Sequence, residues 1–439
     1  MKENLGIKNQ ILYKQFKDLA DRSFTVLDRH LDTFPYEIKH CITITDGGGG
    51  SEFIGYAPCF GGFIEGYKDE LTRLPEFASC IKTIQQDNSI NKDIEIHNFL
   101  IQFLTKLARE KEFFEVDIKR YFDELHKRKN ELFRFNIDDI NKIYSRYEKY
   151  LYSERQVIAF AHLRGFELES EYLDLGNFFK IKRIPASERE ELWYDYYALS
   201  TFSKSDSIRV IKFCIITEQK SQADINTEFN HIVTSLRLWK KGNVGYDTIY
   251  YLSKWNPRGG EIDGSKSIFF GYPPVTLKLA EVEEFKNFYK KTRRIRFSDC
   301  KFLNMAINRF NYAYERKREE DKLIDYMVAF EALFMKETQE LRHRLSVRIA
   351  RFLKGEYDER KDLYSKFKRI YDIRSKIVHG NSITPKELKK LAVESLSELI
   401  SEVEEQLRKS IKTFIDLIDQ DVNYNHNEFL DKLDLNNVR

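Results

Sequence analysis

Cysteine is scarce in this 439-residue chain, and its five cysteines form no CxxC pair. The sequence therefore offers no zinc ribbon or redox dithiol, and the scattered thiols are typical of a reducing cytosol. No run of about 18 apolar residues is present, and the polar N-terminus lacks the apolar stretch of a signal peptide. We therefore predict a cytoplasmic protein that makes no contact with a membrane.

Several catalytic motifs are also missing, namely GxxxxGK[ST], HExxH and GxSxG. Their absence predicts no cofactor and no metal. The 73 lysines and arginines nearly balance the 70 aspartates and glutamates, which leaves a net charge of +3. Because the overall field is weak, a nucleic-acid site would have to come from local clusters of positive charge.

Proline and glycine are rare in the last third of the chain. Only Pro385, Gly355 and Gly380 follow the Pro273-Pro274 dipeptide, which marks a domain boundary. We predict a mixed α+β N-terminal region over 1–274, with a sensing or regulatory role and room for two subdomains. An all-α helical bundle over 275–418 and a loosely docked polar tail over 419–439 follow.

The N-terminal region contains both kinds of element. Its β-branched and aromatic runs predict strands, and its 3–4 apolar spacing predicts helices. The predicted strands are "HCITIT", "RQVIAFAHL", "NFFKIKRI" and "IRVIKFCIIT". The predicted helices are "IHNFLIQFLTKLAREKEFFEVDIKRYFDELHKR" and "DINTEFNHIVTSLRLWKK". Gly47–Ser51 reads as a flexible loop to which we assign no function.

Five helical regions are predicted in the bundle. They cover about 275–293, 300–335, 341–355, 358–380 and 384–417. Asp358 is a candidate N-cap, Gly380 a C-cap, and Pro385 a first helical position.

An arginine interrupts the apolar stripe of the fourth region. On a helical wheel Arg374 lies within about 60° of Leu363, Phe367, Ile370, Ile377 and Val378. A charge in such a stripe requires an ion-pair partner or a ligand, because burying it alone costs several kcal/mol. His379 follows at the helix end, just before Gly380, where both side chains would reach one cleft.

The spacing of this pair alone is a weak signal, since Arg120/His126 and Arg155/His162 share it. We interpret those two pairs as coincidental, because one lies on a charged helix and the other at the start of a strand. The third pair differs in its context. It combines an arginine in the apolar stripe, a glycine stop and a helical bundle around them.

Positive charge is concentrated around this helix. Residues 341–380 contain 12 lysines and arginines against 5 aspartates and glutamates, a net charge of 12 − 5 = +7. Arg344, Arg348 and Arg351 share one face of the preceding helix, where they would follow a phosphate backbone, and Lys376 would add to this surface. The alternative is an ordinary solvated helix face.

Three segments of the bundle resemble the Apea-like branch of HEPN domains. They are "LIDYMVAFEALFM", "LRHRLSVRIARFLKG" and "KFKRIYDIRSKIVHG", which occur in this order. The resemblance as a whole covers about 140 residues. HEPN domains are helical bundles that carry an R-x4–6-H motif at a helix end, and many are metal-independent endoribonucleases of anti-phage or toxin systems. The segment "NHIVTSLRLWKKGNVGYDTIYYLSKW" also resembles sequence that precedes such domains.

The resemblance implies roles for four residues. Arg374 and His379 would be the catalytic pair. Glu331 would support them by pairing with Arg374, and the alternative is a solvent-facing glutamate or a plain structural salt bridge. Ser375 stands where the family commonly has Asn, Asp or His, which puts an amide or acidic contribution from that position in doubt. Asn381 stands where one subgroup carries a modified tyrosine, so that form of control is not expected.

The mechanism that the resemblance implies can be argued from chemistry. The 2′-OH of RNA is the nucleophile, a histidine would move protons, and an arginine would stabilise the phosphate charge. The products would be a 2′,3′-cyclic phosphate and a 5′-hydroxyl. One histidine per chain is one proton carrier short, so a homodimer formed through the HEPN domain is expected to supply the second.

Two other readings remain open. The bundle could be a non-catalytic RNA-binding or dimerisation module, or Arg374 and His379 could belong to a purely structural salt-bridge network. The RNA substrate, with tRNA anticodon loops as one candidate, and the activating trigger are not specified by these residues.

Overall fold

The structure, a computed structural model, describes residues 7–44, 50–90, 95–152, 157–184, 212–219, 224–246, 249–253, 273–295, 300–337, 339–421 and 423–435. Two compact units divide the chain. The first contains Met1–His162, Gly176–Ala223 and Ile249–Asp263. The second contains Leu163–Leu175, Asp224–Thr248 and Gly264–Arg439. This division corrects the single boundary predicted at residue 274, because two earlier segments belong to the helical second unit.

The first unit has an α-helical part with an extensive apolar core. Its helices are α1 (Gln10–Asp28), α2 (Phe60–Gly66), α3 (Lys68–Leu71), α4 (Pro75–Gln86), α5 (Ile96–Arg109), α6 (Ile118–Arg128) and α7 (Ile137–Tyr152). The helix predicted over 96–128 is two helices. Glu115 between them forms an extended backbone bridge with Tyr56, which the chain could not make while helical.

Nine strands are described. They are β1 (Tyr36–Ile44), β2 (Gly50–Pro58), β3 (Val157–Leu163), β4 (Phe166–Leu168), β5 (Tyr172–Gly176), β6 (Phe179–Arg183), β7 (Phe213–Gln219), β8 (Ile249–Ser253) and β9 (Val275–Leu277). β1 and β2 form an antiparallel hairpin in which Tyr36 pairs with Pro58. β6, β7, β3 and β8 are consecutive neighbours in one sheet, with antiparallel β6–β7 and β3–β8 pairs. The mixed α+β prediction for this region is confirmed, and the described part of each predicted strand contains a strand.

The second unit is predominantly helical. Its helices are α8 (Ile225–Trp239), α9 (Val282–Arg294), α10 (Lys301–Glu315), α11 (Glu319–Phe334), α12 (Leu341–Leu353), α13 (Tyr357–Val378), α14 (Pro385–Lys389), α15 (Leu396–Gln420) and α16 (His426–Asp434). Short parallel pairing of β4 with β9 accompanies them. The predicted helical C-terminal part is therefore confirmed, although helix α8, predicted from the sequence, also belongs to it.

Three predicted helical regions need correction. The region over 300–335 is a pair of helices, α10 and α11, because the chain turns after Arg316. This turn lets Phe310 and Tyr326 pack together, and it brings Arg309 and Arg316 to the buried carboxylate of Asp325. The helical hairpin therefore buries the apolar faces of both helices against each other and pairs the buried charge of Asp325.

The region over 384–417 is also two helices. Thr384 and Glu387 form the capping box of α14, as expected for a helix with Pro385 at its first position. Ala392 has a φ of +58°, which ends helical geometry, and Ser395 caps α15 by accepting from the Glu398 N–H. In the region over 275–293 the α-helix begins only at Val282, after a 3-10 turn over Leu279–Glu281, because Val275–Leu277 pair with β4.

The predicted polar tail is corrected by helix α16. Asn425 caps this helix, and Leu430 and Leu433 are fully buried in the core of the second unit. The His426 ring stacks on Phe302, with centroids 3.5 Å apart. Apolar residues spaced three apart in an otherwise polar segment thus dock the helix.

Among the described helices, not one combines the length and the apolar character that crossing a bilayer requires.

Candidate active site

The candidate site lies at the C-terminal end of helix α13. The helix buries Leu363, Phe367, Ile370 and Ile373. The wheel placed Ile377 and Val378 in the same stripe, but Ile377 is only partly buried and Val378 is 52% exposed. The apolar face of the helix is therefore no longer fully buried over the last turn. The predicted cap is also corrected, since the helix begins at Tyr357 with Glu356 at the N-cap position.

Arg374 lies opposite a carboxylate on the neighbouring helix α11. Its side chain is 22% exposed, and its Nη2 atom is 3.7 Å from Oε1 of Glu331, whose side chain is equally buried. This is the pairing that the resemblance implies, whereas the supporting chemical role of Glu331 stays a prediction.

The pairing is incomplete. The distance is too long for a hydrogen bond, and both Arg374 Nε and Glu331 Oε1 are buried without a hydrogen-bond partner. Burial raises the pKa of Glu331, and Arg374 opposes that rise. Because the ion pair is long and 22% of the side chain stays exposed, Arg374 retains capacity to bind an anion.

Tyr371, one turn before Arg374, completes this cluster. The guanidinium carbon of Arg374 is 5.8 Å from the Tyr371 ring centroid, a distance compatible with a cation–π contact. Burial, together with the negative charge of Glu331, raises the pKa of Tyr371, so its hydroxyl stays protonated at neutral pH. Sequence reasoning missed this residue, although its i, i+3 spacing to Arg374 places both on one helix face.

His379 occupies the C-cap of α13, where backbone hydrogen bonds fix its main chain. Its N–H donates to the Ser375 carbonyl at 3.1 Å. The N–H groups of Gly380 and Asn381 donate to the carbonyls of Ile377 and Lys376, both at 2.9 Å, which is the Schellman pattern. Gly380 has a φ of +73°, so the predicted glycine C-cap is confirmed.

The side chain of His379 is exposed to solvent. On an ideal helix it is about 140° around the axis from Arg374. Arg374 contacts α11, whereas His379 lies on the surface, so one chain alone supplies no direct contact between the predicted catalytic pair among the described residues. The shared cleft stays a prediction that requires a second chain.

Ser375 and Lys376 lie between the pair. The Ser375 carbonyl accepts the His379 N–H, which is a positioning contact of the backbone. Lys376 is paired with Glu387 of helix α14. The hydrogen bond from Lys376, with two more from Thr384, lowers the pKa of Glu387 to about 2. Lys376 thus anchors the segment that follows His379, and its contact with RNA stays a prediction.

The predicted basic stripe on α12 is corrected by its contacts. Arg348 is completely buried, with its Nη1 and Nη2 atoms 2.9 Å from the two Glu337 carboxylate oxygens. Its Nε and Nη2 atoms reach the two oxygens of Asp434 at 3.0 and 2.7 Å. This arginine is inaccessible to a phosphate backbone, and the solvated-face alternative is equally wrong for it.

The other two arginines of the stripe also contact Asp434. Arg351 donates to the carbonyls of Leu433 and Asp434, at 2.6 and 2.5 Å. Arg344 is 3.3 Å from Glu340 and within 4 Å of Glu337 and Asp434. The three arginines thus form a clamp that holds α16 against α12. The separation of 86 positions between Arg348 and Asp434 hides this partner from sequence reasoning.

The clamp changes the pKa values of its members. Hydrogen bonds from Arg348 outweigh the effect of burial and lower the pKa of Glu337 to about 2. Burial alone would lower the pKa of Arg348, but the hydrogen bonds to Asp434 and Glu337 raise it overall. Glu337 and Arg348 are therefore both charged at neutral pH.

The residues of the two coincidental motifs belong to the first unit. Arg120 and His126 are both exposed on α6. His162 is buried in β3, and Arg155 lies outside the described residues.

In the described ranges, His, Cys, Asp and Glu side chains form no group of three suited to hold a metal ion. The predicted metal independence is not tested by that finding.

No protein-family model, no curated protein and no solved structure matches this chain. The resemblance to HEPN domains therefore depends on the motif segments and their order, and it stays a prediction.

Proposed function

We propose that this protein is a metal-independent endoribonuclease of the HEPN type, acting as a homodimer in bacterial anti-phage defence or as a toxin. One observation carries the proposal. Arg374 pairs with Glu331 only at 3.7 Å and keeps 22% of its side chain exposed, within five residues of an exposed histidine on a fixed helix end. An arginine held in this way is available to a phosphate.

Each residue has a distinct task in the proposed reaction. The 2′-OH of the RNA attacks the adjacent phosphorus, and the bond to the 5′-oxygen of the next nucleotide breaks. His379 transfers protons, a contribution of about 10²–10⁴-fold to the rate. Arg374 stabilises the charge that develops on the phosphate oxygens. The products are a 2′,3′-cyclic phosphate and a 5′-hydroxyl, and the step uses no oxidant or metal.

A second chain supplies what one chain lacks. His379 is exposed, and the neighbouring Val378 leaves half of its apolar surface in solvent. Apposition of two such helix ends would bury Val378 and bring two histidines and two arginines into one cleft. Tyr371 and Glu331 would then lie behind the two arginines and set their orientation.

Purified protein incubated with total RNA or tRNA in EDTA tests this proposal. The wild type is expected to produce fragments with 2′,3′-cyclic phosphate ends. His379→Ala should reduce the rate by at least 100-fold with folding intact, which is the low end expected for loss of a proton carrier. His126→Ala, from the coincidental motif on α6, is the matched control and should cleave at the wild-type rate.

Two results would redirect the proposal. RNA binding without products would favour a non-catalytic RNA-binding or dimerisation module. If Arg374→Ala changed only stability or dimerisation and left RNA handling unaltered, the Arg374–Glu331 ion pair would be purely structural. Equal cleavage by wild type and His379→Ala would refute the assignment of the histidine.

A further inference from the structure

A polar cleft of about 570 Å³ lies in the second unit between helices α8, α9 and α10. Its volume is within the range of small-molecule sites. Its lining differs from an ordinary apolar pocket, since asparagines 230, 304, 308 and 311 all contribute. The α8 side of the cleft belongs to the segment that resembles sequence preceding HEPN domains, and the nuclease proposal gives that segment no role.

Buried hydrogen bonds hold the floor of the cleft rigid. Asn311 accepts from Arg237 Nη1 at 3.1 Å and donates to the Thr234 hydroxyl at 2.9 Å. Arg237 is itself buried, donates to the Val244 carbonyl at 2.9 Å and lies 4.6 Å from the Tyr314 ring centroid. A floor in which the amide and guanidinium planes are fixed from below is pre-organised for a ligand.

His231 presents a defined neutral form to the cleft. Thr292 donates its hydroxyl proton to the Tyr289 carbonyl at 2.8 Å, so its oxygen accepts from His231 Nε2 at 2.9 Å. This arrangement fixes the Nε2–H tautomer and makes Nδ1 an acceptor. Burial, with the nearby charge of Arg293, lowers the pKa of His231 to about 4, so the ring is uncharged at neutral pH.

The rim offers a donor and an acceptor side by side. Asn304 and Asn308 are one turn apart on α10, and Asn308 Nδ2 donates to Asn304 Oδ1 at 3.4 Å. The remaining Nδ2 group of Asn304 and the Oδ1 atom of Asn308 have no hydrogen-bond partner among the described residues. Exchanging the O and N atoms of both amides would leave the same pair of one donor and one acceptor.

Formal charges in the cleft balance. The lining contains two cations, Arg237 and Arg293, and two anions, Glu228 and Glu315. Arg293 is paired with Glu228 at 2.8 Å. The balance disfavours a phosphate or a carboxylate and favours a neutral ligand rich in hydrogen-bonding groups.

We infer that this cleft binds a nucleoside through the edge of its base. Asparagine amides match the adjacent donor and acceptor of a base edge, and a good bidentate pair discriminates strongly. Tyr312 lines the cleft, is 46% exposed and offers a ring face on which a base stacks. The site is separate from Arg374 and His379, so it is a candidate for the sensing role expected of the chain.

Calorimetric titration of the full-length protein tests this inference. Adenosine, guanosine, cytidine and uridine are the probes, with glucose and inorganic phosphate as separate arms. At least one nucleoside is expected to bind saturably with a stoichiometry of one per chain. Asn308→Ala and Tyr312→Ala should each weaken that binding about tenfold. Asn287→Ala, on the exposed surface of α9 outside the cleft, should not change it.

The result is independent of the nuclease proposal. His379→Ala protein should bind the nucleoside as tightly as the wild type, whether or not the wild type cleaves RNA. Absence of binding by all four nucleosides, or binding that both cleft variants leave unchanged, would overturn the inference. Saturable binding of glucose or phosphate in place of a nucleoside would also overturn it, by assigning the cleft to a different ligand class.

Discussion

Two arginines of the helical unit, Arg348 and Arg374, make an instructive comparison. Arg348 has no exposed surface and makes five hydrogen bonds of 2.7–3.0 Å, four to carboxylates and one to the Phe334 carbonyl. Arg374 keeps 22% of its side chain exposed and has one carboxylate at 3.7 Å. The comparison shows that burial alone does not indicate a function. The exposed surface and the long ion pair of Arg374 distinguish a site that can accept a ligand from one that is complete.

The largest effect on stability is expected from Arg348→Ala. This change leaves Glu337 and Asp434 without their buried partner and releases α16, at a cost of about 3–5 kcal/mol in the free energy of unfolding. Arg374→Ala removes a long, partly exposed ion pair and should cost about 1 kcal/mol or less. Urea denaturation of both variants measures the difference.

In RNA cleavage assays the two variants should rank in the opposite order from their losses of stability. At a temperature where both variants are folded, Arg348→Ala should retain RNA cleavage, whereas Arg374→Ala should lose it. Equal losses in the free energy of unfolding would contradict the comparison, because the difference in hydrogen bonding between Arg348 and Arg374 would then not affect stability.

An intermediate effect on folding stability is expected when the pH is lowered. Because Arg348 lowers the pKa of Glu337 to about 2, its pairing stabilises the folded state fully above the unfolded-state pKa of about 4.5. That stabilisation should disappear as the pH falls from about 4.5 to about 2. Thermal unfolding followed from pH 6 to pH 2 measures it. In Arg348→Ala this part of the pH dependence should be smaller, and an unchanged acid profile would contradict the predicted linkage.

The smallest effect concerns the two glycines of the bundle. Gly380 has a φ of +73° and open space around it, so Gly380→Ala introduces only backbone strain, about 1–2 kcal/mol. Gly355 also has open space but no positive φ, so Gly355→Ala should stabilise by about 0.4–1 kcal/mol. Melting temperatures of the two variants should therefore shift in opposite directions. A shift of the same sign in both would argue against the left-handed C-cap after His379.

Local signals in the sequence predicted much of the second unit. Apolar spacing located α8, α12 and α13, a glycine marked the end of α13, and a proline marked the start of α14. Partners that lie far along the chain were missed. The arginines of α12 form a regular basic stripe on a wheel, and only the fold shows that Asp434 lies beside them.

The site was predicted with similar limits. Glu331 was expected beside Arg374, and the structure has that contact. The helical-wheel prediction continued the apolar stripe to Val378. It therefore overestimated burial in the last turn, just before the helix ends. The sequence-based prediction of the site did not include Tyr371, because a tyrosine in an apolar stripe is typical of ordinary core packing.

The Schellman turn after α13 has a mechanical consequence. Three main-chain hydrogen bonds restrain the peptide planes on either side of His379, so the imidazole can reorient only about its own two side-chain torsions. For a reactant approaching that helix end, the Cα position of His379 is fixed and its ring can move only a short distance. Its reactive nitrogens are therefore confined to a small volume, and the arriving molecule must adjust its own position to meet them.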